Sequence, residues 1–258
     1  MPPPEVTEAI CLSVQKFSES SKIAFLYTQR WGRISVIAKG AFRPKSPFWG
    51  HLEPLSICEC VIYKKPREQL YLLSSCRIVV PWLPLAESVA RAGYAFAVGE
   101  FLYRHTFEEA DPALYPLSRA ALVSLAKLPE NLLPRQFYGY LLAALACLGF
   151  RPNFSECDTC GRRPREDQSV IFDAAAGKII CRSCRSDRPD RARPHHLSVD
   201  ALAELRQRQR EPILEEDAPE MTSGALAEMA AAIEDFAVYH LGGMRLKSLD
   251  FARRAGSI

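Results

Sequence analysis

Two short cysteine motifs constrain the fold of this chain more than any other feature of its sequence. The first, ECDTCGRR, contains Cys157 and Cys160, and the second, ICRSCRSD, contains Cys181 and Cys184. The C-x2-C-x20-C-x2-C spacing is typical of zinc sites, because two intervening residues let both sulfurs of a pair reach one tetrahedral centre. Four thiolates would also fill every coordination position, whereas a catalytic zinc keeps one position open. The motifs therefore predict a structural Zn2+ that folds its segment, with an iron–sulfur cluster as the alternative.

Arginines are crowded around both cysteine pairs. They are Arg162, Arg163, Arg165, Arg182 and Arg185. Four thiolates around one divalent ion leave a net negative charge, which these side chains would partly offset. Direct contact with a nucleic acid or another partner is the second interpretation, and the sequence leaves both open.

Five further cysteines lie in apolar segments, and in a cytosolic chain they are expected to be free thiols and not disulfides. They are Cys11, Cys58, Cys60, Cys76 and Cys147. Free cysteine is among the most buried residue types, so these five are predicted to be small core residues. A second metal site built on the Cys58-x-Cys60 pattern is the weaker alternative.

Positive charge is concentrated in two parts of the chain. Residues 1–80 contain 11 Lys and Arg against 6 Asp and Glu, a net charge of +5, and residues 151–194 contain 10 against 7, a net charge of +3. Residues 81–150 and 195–258 are net negative, at −1 and −4. A polyanion is therefore expected to bind the N-terminal segment or the surroundings of the cysteines.

The sequence predicts a cytoplasmic location. The N-terminal MPPPEVTEAI contains no basic segment followed by an apolar run, which predicts that there is no secretory signal. The longest strongly apolar run, Tyr140–Phe150, has eleven residues, about half the length that a membrane span requires. This run is therefore expected to be a core helix.

The first 80 residues show a β pattern. Strands are predicted at Ala9–Phe17, Lys22–Thr28, Arg33–Lys39, Glu53–Tyr63 and Leu70–Val80. Five short strands with the longest connection between the third and fourth favour a closed OB-fold barrel, and an SH3-like barrel is the main alternative.

The rest of the chain is predicted to be helical apart from the cysteine segment. Helices are expected at about 85–103, from Pro112 with Asp111 as N-cap, at about 131–147 and 198–210, and from Ser223 to Gly242. The whole is an α+β multidomain chain. Its predicted parts are an OB-fold DNA-binding domain over residues 1–80, a helical domain from residues 81–150 and 195–258, and an inserted zinc-binding module over residues 151–194.

Basic side chains of the barrel segment fall at strand ends and in loops. They are Arg30, Arg33, Lys39, Arg43, Lys45, Lys64, Lys65 and Arg67. Phe42, Phe48 and Trp49 are interleaved with them in the third connection. Lys and Arg in a groove neutralise phosphates while aromatic rings stack on bases, so these residues are candidate DNA contacts. Solvated strand ends with buried aromatic rings are an equally good interpretation of the composition.

Motifs that would indicate catalysis are missing from the sequence. It contains no GxxxxGK[ST] phosphate loop, no HExxH and no GxSxG. His195 and His196 form one adjacent pair, which is expected in a surface loop because the metal already has four ligands. The chain is therefore predicted not to be an enzyme.

Several stretches together resemble the RecO family of bacterial DNA repair and recombination mediators. They are FSESSKIAFLYTQRWGRISVIAKGAFRPKS (Phe17–Ser46), GHLEPLSICEC, LLAALACLGFRPNFSECDTCGRRP, IICRSC and YHLGGMRLKSLDF. The resemblance occurs in every region and in the family's order. One small departure is Gly177-Lys178, where a paired glycine often precedes the second cysteine pair. Many members of the family lack the four cysteines, which again favours a structural role for the metal.

The resemblance implies a function and several partners. The family binds single- and double-stranded DNA, anneals complementary strands, and works with RecR to help RecA displace single-strand binding protein (SSB). A protein of this kind is expected in the bacterial cytoplasm, with the nucleoid during repair. Arg33, Lys39, Arg43 and Lys45 match the family's basic signature. The acidic tail of SSB docks on the family's helical domain, and Arg135 with Phe137 and Tyr138 is the candidate pocket for it here.

Two other functions remain open at this point. The basic barrel could bind an acidic protein and never touch DNA, which would make the chain an interaction scaffold. A zinc-dependent nuclease is the second, although the sequence shows no general base and no open metal position.

Overall fold

The computed structural model describes residues 3–48, 50–64, 69–187, 193–243 and 245–255. The chain divides into two compact units, which we call the barrel unit (residues 1–130 and 246–258) and the cysteine unit (residues 131–245). The three-part division predicted from the sequence has different boundaries and stays a prediction. Among the described residues, no helix is both long and apolar enough to cross a membrane.

Five strands form a closed barrel at the N-terminus. They are β1 (Glu5–Lys16), β2 (Lys22–Thr28), β3 (Gly32–Ala38), β4 (Ile57–Tyr63) and β5 (Leu70–Val80). Around the barrel the order is β1-β2-β3-β5-β4, and an antiparallel β4–β1 pairing closes it. The β3–β5 pair is parallel. The predicted five-stranded, OB-like barrel is confirmed.

The fourth strand begins later than its sequence pattern predicts. Residues 53–56 form a turn in which the Ser56 N–H donates to the Glu53 carbonyl at 3.1 Å, and Leu55 has a φ of 67°. This turn is held by β1, because the Leu55 N–H donates to the Cys11 carbonyl at 2.7 Å and the Cys11 N–H donates to the Ser56 carbonyl at 3.0 Å. Ordinary strand backbone therefore starts only at Ile57.

In the described part of the chain, six α-helices follow the barrel strands. They are α1 (Val89–His105), α2 (Leu114–Lys127), α3 (Leu133–Cys147), α4 (Val199–Arg208), α5 (Ser223–His240) and α6 (Lys247–Ala255). The prediction that α2 begins at Pro112 is wrong, because the helix begins two residues later, at Leu114. Asp111 Oδ1 still accepts from the N–H groups of Ala113 and Leu114, both at 2.8 Å, so it caps the helix from outside.

Helices α1, α2 and α6 belong to the barrel unit. Glu8 of β1 holds α2, because its Oε1 accepts from the Tyr115 hydroxyl at 3.0 Å and from Arg119 Nε at 2.9 Å. Glu100 of α1 accepts from the first two N–H groups of α6, Lys247 at 3.1 Å and Ser248 at 2.8 Å. A carboxylate at this helix end supplies acceptors to donors that have no partner within the helix.

The cysteine unit contains a second, smaller sheet that the sequence patterns did not predict. Its strands are β6 (Asn153–Cys157), β7 (Val170–Asp173), β8 (Lys178–Cys181) and β9 (Pro194–Leu197), in the order β6-β8-β7-β9. Strand β9 contains His195 and His196, so the prediction of a surface loop there is wrong. His195 Nε2 lies 3.1 Å from Asp235 Oδ2 on α5, which packs on β9, α3 and α4.

Candidate metal centre and nucleic-acid interface

The sheet of the cysteine unit brings the four predicted metal ligands together. Cys157 ends β6 and Cys181 ends β8, while Cys184 lies in a short 3-10 helix at Arg182–Asp187. The four sulfurs all lie within 4.8 Å of one another, and those of Cys160 and Cys181 are 3.9 Å apart. The cluster could therefore hold a metal ion.

The first cysteine pair sits in a tight turn. The Gly161 N–H donates to the Cys157 carbonyl at 2.9 Å, and the Cys157 N–H donates to the Arg162 carbonyl at 2.9 Å. Gly161 has a φ of 69°, a left-handed conformation that costs glycine little. This turn folds Cys157 and Cys160 toward the same point, as one tetrahedral centre requires.

Local hydrogen bonds prepare two of the thiols for metal binding. Burial alone would raise the pKa of the Cys157 thiol, but bonds from the backbone N–H groups of Cys181, Cys160 and Thr159 lower it to about 6. The pKa of Cys181 is also lowered despite its burial, because Ser183 and Cys184 donate to its sulfur. Cys184 keeps its proton longest, since its bond to Cys181 raises its pKa to about 12. A metal ion would have to displace that proton.

All the donors in this cluster are sulfur. Among the described residues, no histidine or carboxylate joins the four cysteines in the group. The arrangement suits a thiophilic metal in four-fold coordination, with no ligand position left for water.

The barrel cysteines have a different environment. Cys11, Cys58, Cys60 and Cys76 are all buried in the barrel core, as predicted, whereas Cys147 is half-buried. Burial raises the pKa of Cys11 well above its ordinary value. A hydrogen bond to Cys76 and burial raise the pKa of Cys58 as well. The thiols of Cys11 and Cys58 are therefore protonated and unreactive at neutral pH.

The connection between β3 and β4 presents basic side chains on the barrel surface. Ala41, Phe48 and Leu52 are buried in the barrel core and anchor this connection. Between these anchors the chain forms turns, for example where the Arg43 N–H donates to the Gly40 carbonyl at 3.0 Å. Among the described residues, the exposed basic and aromatic side chains of this connection are Lys39, Phe42, Arg43 and Lys45.

Lys22 extends this surface from the neighbouring strand. Its Nζ lies 5.2 Å from the centroid of the Phe42 ring, and 42% of Phe42 is exposed. We call Lys22, Lys39, Phe42, Arg43 and Lys45 the loop patch. The three cations in the loop itself have no carboxylate within ion-pair distance in the described part of the chain. Sequence reasoning missed Lys22, because nothing local indicates that β2 brings it beside residue 42.

The other predicted DNA contacts are engaged with the protein or lie outside the described residues. Arg30 forms an ion pair with Glu5 at 2.9 Å, and Lys64 forms one with Glu108 at 2.9 Å. Arg33 Nε donates to the Thr106 carbonyl at 2.8 Å, with its guanidinium over the Tyr103 ring. Lys65 and Arg67 fall outside the described residues, as does Trp49. Of the eight predicted DNA contacts, the structure thus places Lys39, Arg43 and Lys45 on one surface, where they have no ion-pair partner among the described residues.

The residues predicted to form an SSB-tail pocket are buried. Phe137 is fully buried and 2% of Tyr138 is exposed, and both pack in the interior of the cysteine unit. Arg135 Nε and Nη2 donate to the Glu204 carboxylate at 2.6 and 2.7 Å. The three side chains therefore offer no surface to a partner, which corrects the sequence-based prediction.

Family models of known proteins match two consecutive segments of the chain. A family model described as "Recombination protein O N terminal" matches residues 1–82, and one described as "Recombination protein O C terminal" matches residues 86–250. This chain belongs to the RecO family. Two proteins named DNA repair protein RecO are among its relatives. One, from Rhodopirellula baltica, is 32% identical over 80% of this chain and 75% of its own length. Another, from Myxococcus xanthus, is 29% identical over 96% of this chain and 97% of its own length.

Membership of the RecO family makes this a DNA repair protein. The RecO matches cover the barrel, the helices and the four-cysteine cluster, so the resemblance read from the sequence is confirmed over nearly the whole chain.

Proposed function

We propose that this chain is a recombination mediator that binds single- and double-stranded DNA and anneals complementary strands. With RecR it would help RecA load on DNA coated with SSB. The loop patch is the observation that carries the proposal. It combines four cations with one exposed aromatic ring on an OB-like barrel. Barrels of this kind take up oligonucleotides on their loops and faces.

The chemistry of the loop patch suits annealing. Its lysines and arginine would neutralise phosphates, which holds a strand without covering the edges of its bases. A single exposed ring, Phe42, could stack on one base and leave its neighbours free to pair. A surface that buried every base would oppose pairing with a second strand.

We propose that the four cysteines hold a structural Zn2+. Thiolates from Cys157, Cys160, Cys181 and Cys184 are the ligand set that structural zinc sites use. Bound zinc would crosslink β6, β8 and the 3-10 helix that follows. Its part in the proposed function is to fold this segment, and no step of annealing passes through it.

Charge reversal within the loop patch tests the proposal. Lys39→Glu/Arg43→Glu should weaken binding of a single-stranded oligonucleotide by about tenfold or more, because two phosphate contacts become repulsive. Strand annealing should slow in parallel. Arg77→Glu/Lys127→Glu is the matched control, since both residues are exposed in the barrel unit and neither belongs to the loop patch. Unchanged annealing by the loop-patch variant would exclude this surface.

The same protein preparations separate the other two functions. A gel shift with single-stranded oligonucleotides should be positive, whereas a scaffold that binds only acidic proteins would give none. End-labelled DNA incubated with the metal-loaded protein and Mg2+ should stay intact. Cleavage that disappears on mutation of the cysteines would indicate a nuclease instead.

A further inference from the structure

Three arginines surround a cleft of about 550 Å3 in the cysteine unit, apart from the loop patch. Arg206 lies on α4, Arg210 follows the end of α4, and Arg163 comes from the loop after the first cysteine pair. Glu166 and Glu211 also line the cleft, so its formal net charge is +1. In the described part of the chain, none of the three guanidinium groups has a carboxylate within ion-pair distance.

Arg206 is held at the base of this cleft with one nitrogen unpaired. Its Nε donates to the Phe154 carbonyl of β6 at 2.9 Å, which fixes the side chain. Its Nη2 is buried and has no hydrogen-bond acceptor among the described residues. A buried charged donor without a partner is unfavourable, because no hydrogen bond offsets the loss of its contacts with water.

The positive charges of the three arginines repel one another. The pKa of Arg206 is lowered, first by burial and then by the positive charges of Arg163 and Arg210, while Glu166 opposes the shift. An anion in the cleft would relieve both this repulsion and the missing acceptor of Arg206. Arg206 stays fixed by its bond to Phe154, so the exposed side chains of Arg163 and Arg210 are the ones that would move to admit the anion.

The loop after the first cysteine pair builds one wall of the cleft. Arg163 lies three residues after Cys160. It follows the turn that is closed by the hydrogen bond from the Cys157 N–H to the Arg162 carbonyl. The opposite wall, α4, is tied to the same strand, because Gln209 Nε2 donates to the Pro152 carbonyl at 2.8 Å beside the Arg206 bond to Phe154. Both walls therefore depend on the strand that leads into Cys157.

We propose that this arginine cleft is a second anion site, which binds a phosphate group. Planar guanidinium groups form paired, charge-assisted hydrogen bonds with the oxygens of phosphates and carboxylates. Three arginines around one cleft favour phosphate, because it has more acceptor oxygens and can have more negative charge than a single carboxylate. The phosphate can come from a nucleic-acid backbone or from a free phosphate compound. This inference does not depend on the loop patch.

Neutralising the two exposed arginines of the cleft tests the proposal in the metal-loaded full chain. Arg163→Gln/Arg210→Gln should weaken pyrophosphate binding, measured by calorimetry, by about tenfold, since two charge-assisted bonds are lost. Arg151→Gln/Arg165→Gln is the control for charge. Both its residues are exposed in the same unit, and Arg165 pairs with Asp167 outside the cleft. The control should bind pyrophosphate as the unmodified chain does.

A second arm identifies the source of the phosphate. A fluorescein-labelled oligothymidylate is titrated into both double variants, each also carrying Lys39→Glu/Arg43→Glu to silence the loop patch. If the cleft variant binds the oligonucleotide more weakly than the control variant does, the phosphate comes from a nucleic-acid backbone. If the cleft variant loses pyrophosphate binding but binds the oligonucleotide as the control does, the site takes a free phosphate compound. Equal binding of both probes by cleft and control variants overturns the site. Failure of the loop patch would instead show as unchanged oligonucleotide binding when only Lys39 and Arg43 are reversed.

Discussion

A single buried carboxylate determines the role of two arginines in the cysteine unit. Glu204 accepts two hydrogen bonds from Arg135, and Arg208 Nε lies 2.9 Å from the same carboxylate. The three side chains are between 4% and 7% exposed, so the charges are shielded from water. Breaking a buried pair by removing one partner is costly, because the other charge stays behind without compensation.

Glu204→Gln should therefore destabilise the chain strongly. The change leaves Arg135 and Arg208 buried without their counter-charge, which should lower the free energy of unfolding by about 3–5 kcal/mol. Arg135→Met should cost less, since Glu204 would still face Arg208. Urea denaturation followed by circular dichroism measures both. Asp167→Asn is the control, because its ion pair with Arg165 is exposed and should contribute less than about 1 kcal/mol. Equal stability of the Glu204 and Asp167 variants would contradict this account.

The same residues show where sequence reasoning reaches its limit. Arg135 beside Phe137 and Tyr138 reads as a binding pocket when the sequence is considered locally. Its partner Glu204 is 69 residues away, and no local pattern shows that α3 and α4 bury the pair. The cysteine ligands were predictable for the opposite reason, because their spacing alone requires the two pairs to meet.

At the scale of elements, the barrel was predictable and the small sheet was not. The predicted bounds of β2 and β5 agree with the structure, since both strands have apolar runs bounded by turn residues. Strands β7, β8 and β9 have only four residues each, too few for a two-residue alternation to be recognised. They pair because the cysteine pairs and the helices around them hold them in place.

Metal removal should unfold this small sheet and spare the barrel. Cys157→Ser/Cys160→Ser removes two of the four candidate ligands, and without metal β6 and β8 lose the crosslink at their ends. Hydrogen exchange read by mass spectrometry should show lost protection over residues 153–181 and unchanged protection over residues 5–38. A chelator should reproduce the pattern in the unmodified chain. Retained protection in the cysteine segment would show that the sheet is stable without metal.

Acid should have the same effect as the chelator. Metal binding displaces protons from the thiols, so affinity falls as pH falls, most steeply where the cluster takes up protons. The Cys157 thiol, with a pKa of about 6, sets the lower part of that range, and Cys184, at about 12, must lose its proton to the metal at any neutral pH. Protonation of either thiol weakens metal binding, but the two pKa shifts act in opposite directions. The lowered pKa of Cys157 moves its proton uptake to lower pH and so favours metal binding near neutral pH, whereas the raised pKa of Cys184 adds proton competition there.

For the whole molecule, charge is divided between a basic N-terminal part and an acidic C-terminal part. Residues 1–80 have a net charge of +5, and residues 195–258 have a net charge of −4. An overall charge of +3 would attract DNA only weakly. The proposed DNA binding would then depend on local clusters such as the loop patch and the arginine cleft, where cations have no carboxylate within ion-pair distance among the described residues.

Salt dependence measures how many of those cations contact phosphates. If about five phosphates of a single strand are neutralised, log K should fall with log[salt] with a slope of about −3.5. Lys39→Glu/Arg43→Glu should reduce the magnitude of the slope by about 1.4, because each lost contact releases about 0.7 fewer counterions. Fluorescence anisotropy over a range of NaCl concentrations gives both slopes, with Arg77→Glu/Lys127→Glu as the charge-matched control. A slope near zero in the unmodified chain would mean that phosphates do not hold the strand. If the loop-patch variant and the control variant have equal slopes, the change in slope reflects only the net charge of the protein. Cations outside the loop patch would then make the phosphate contacts.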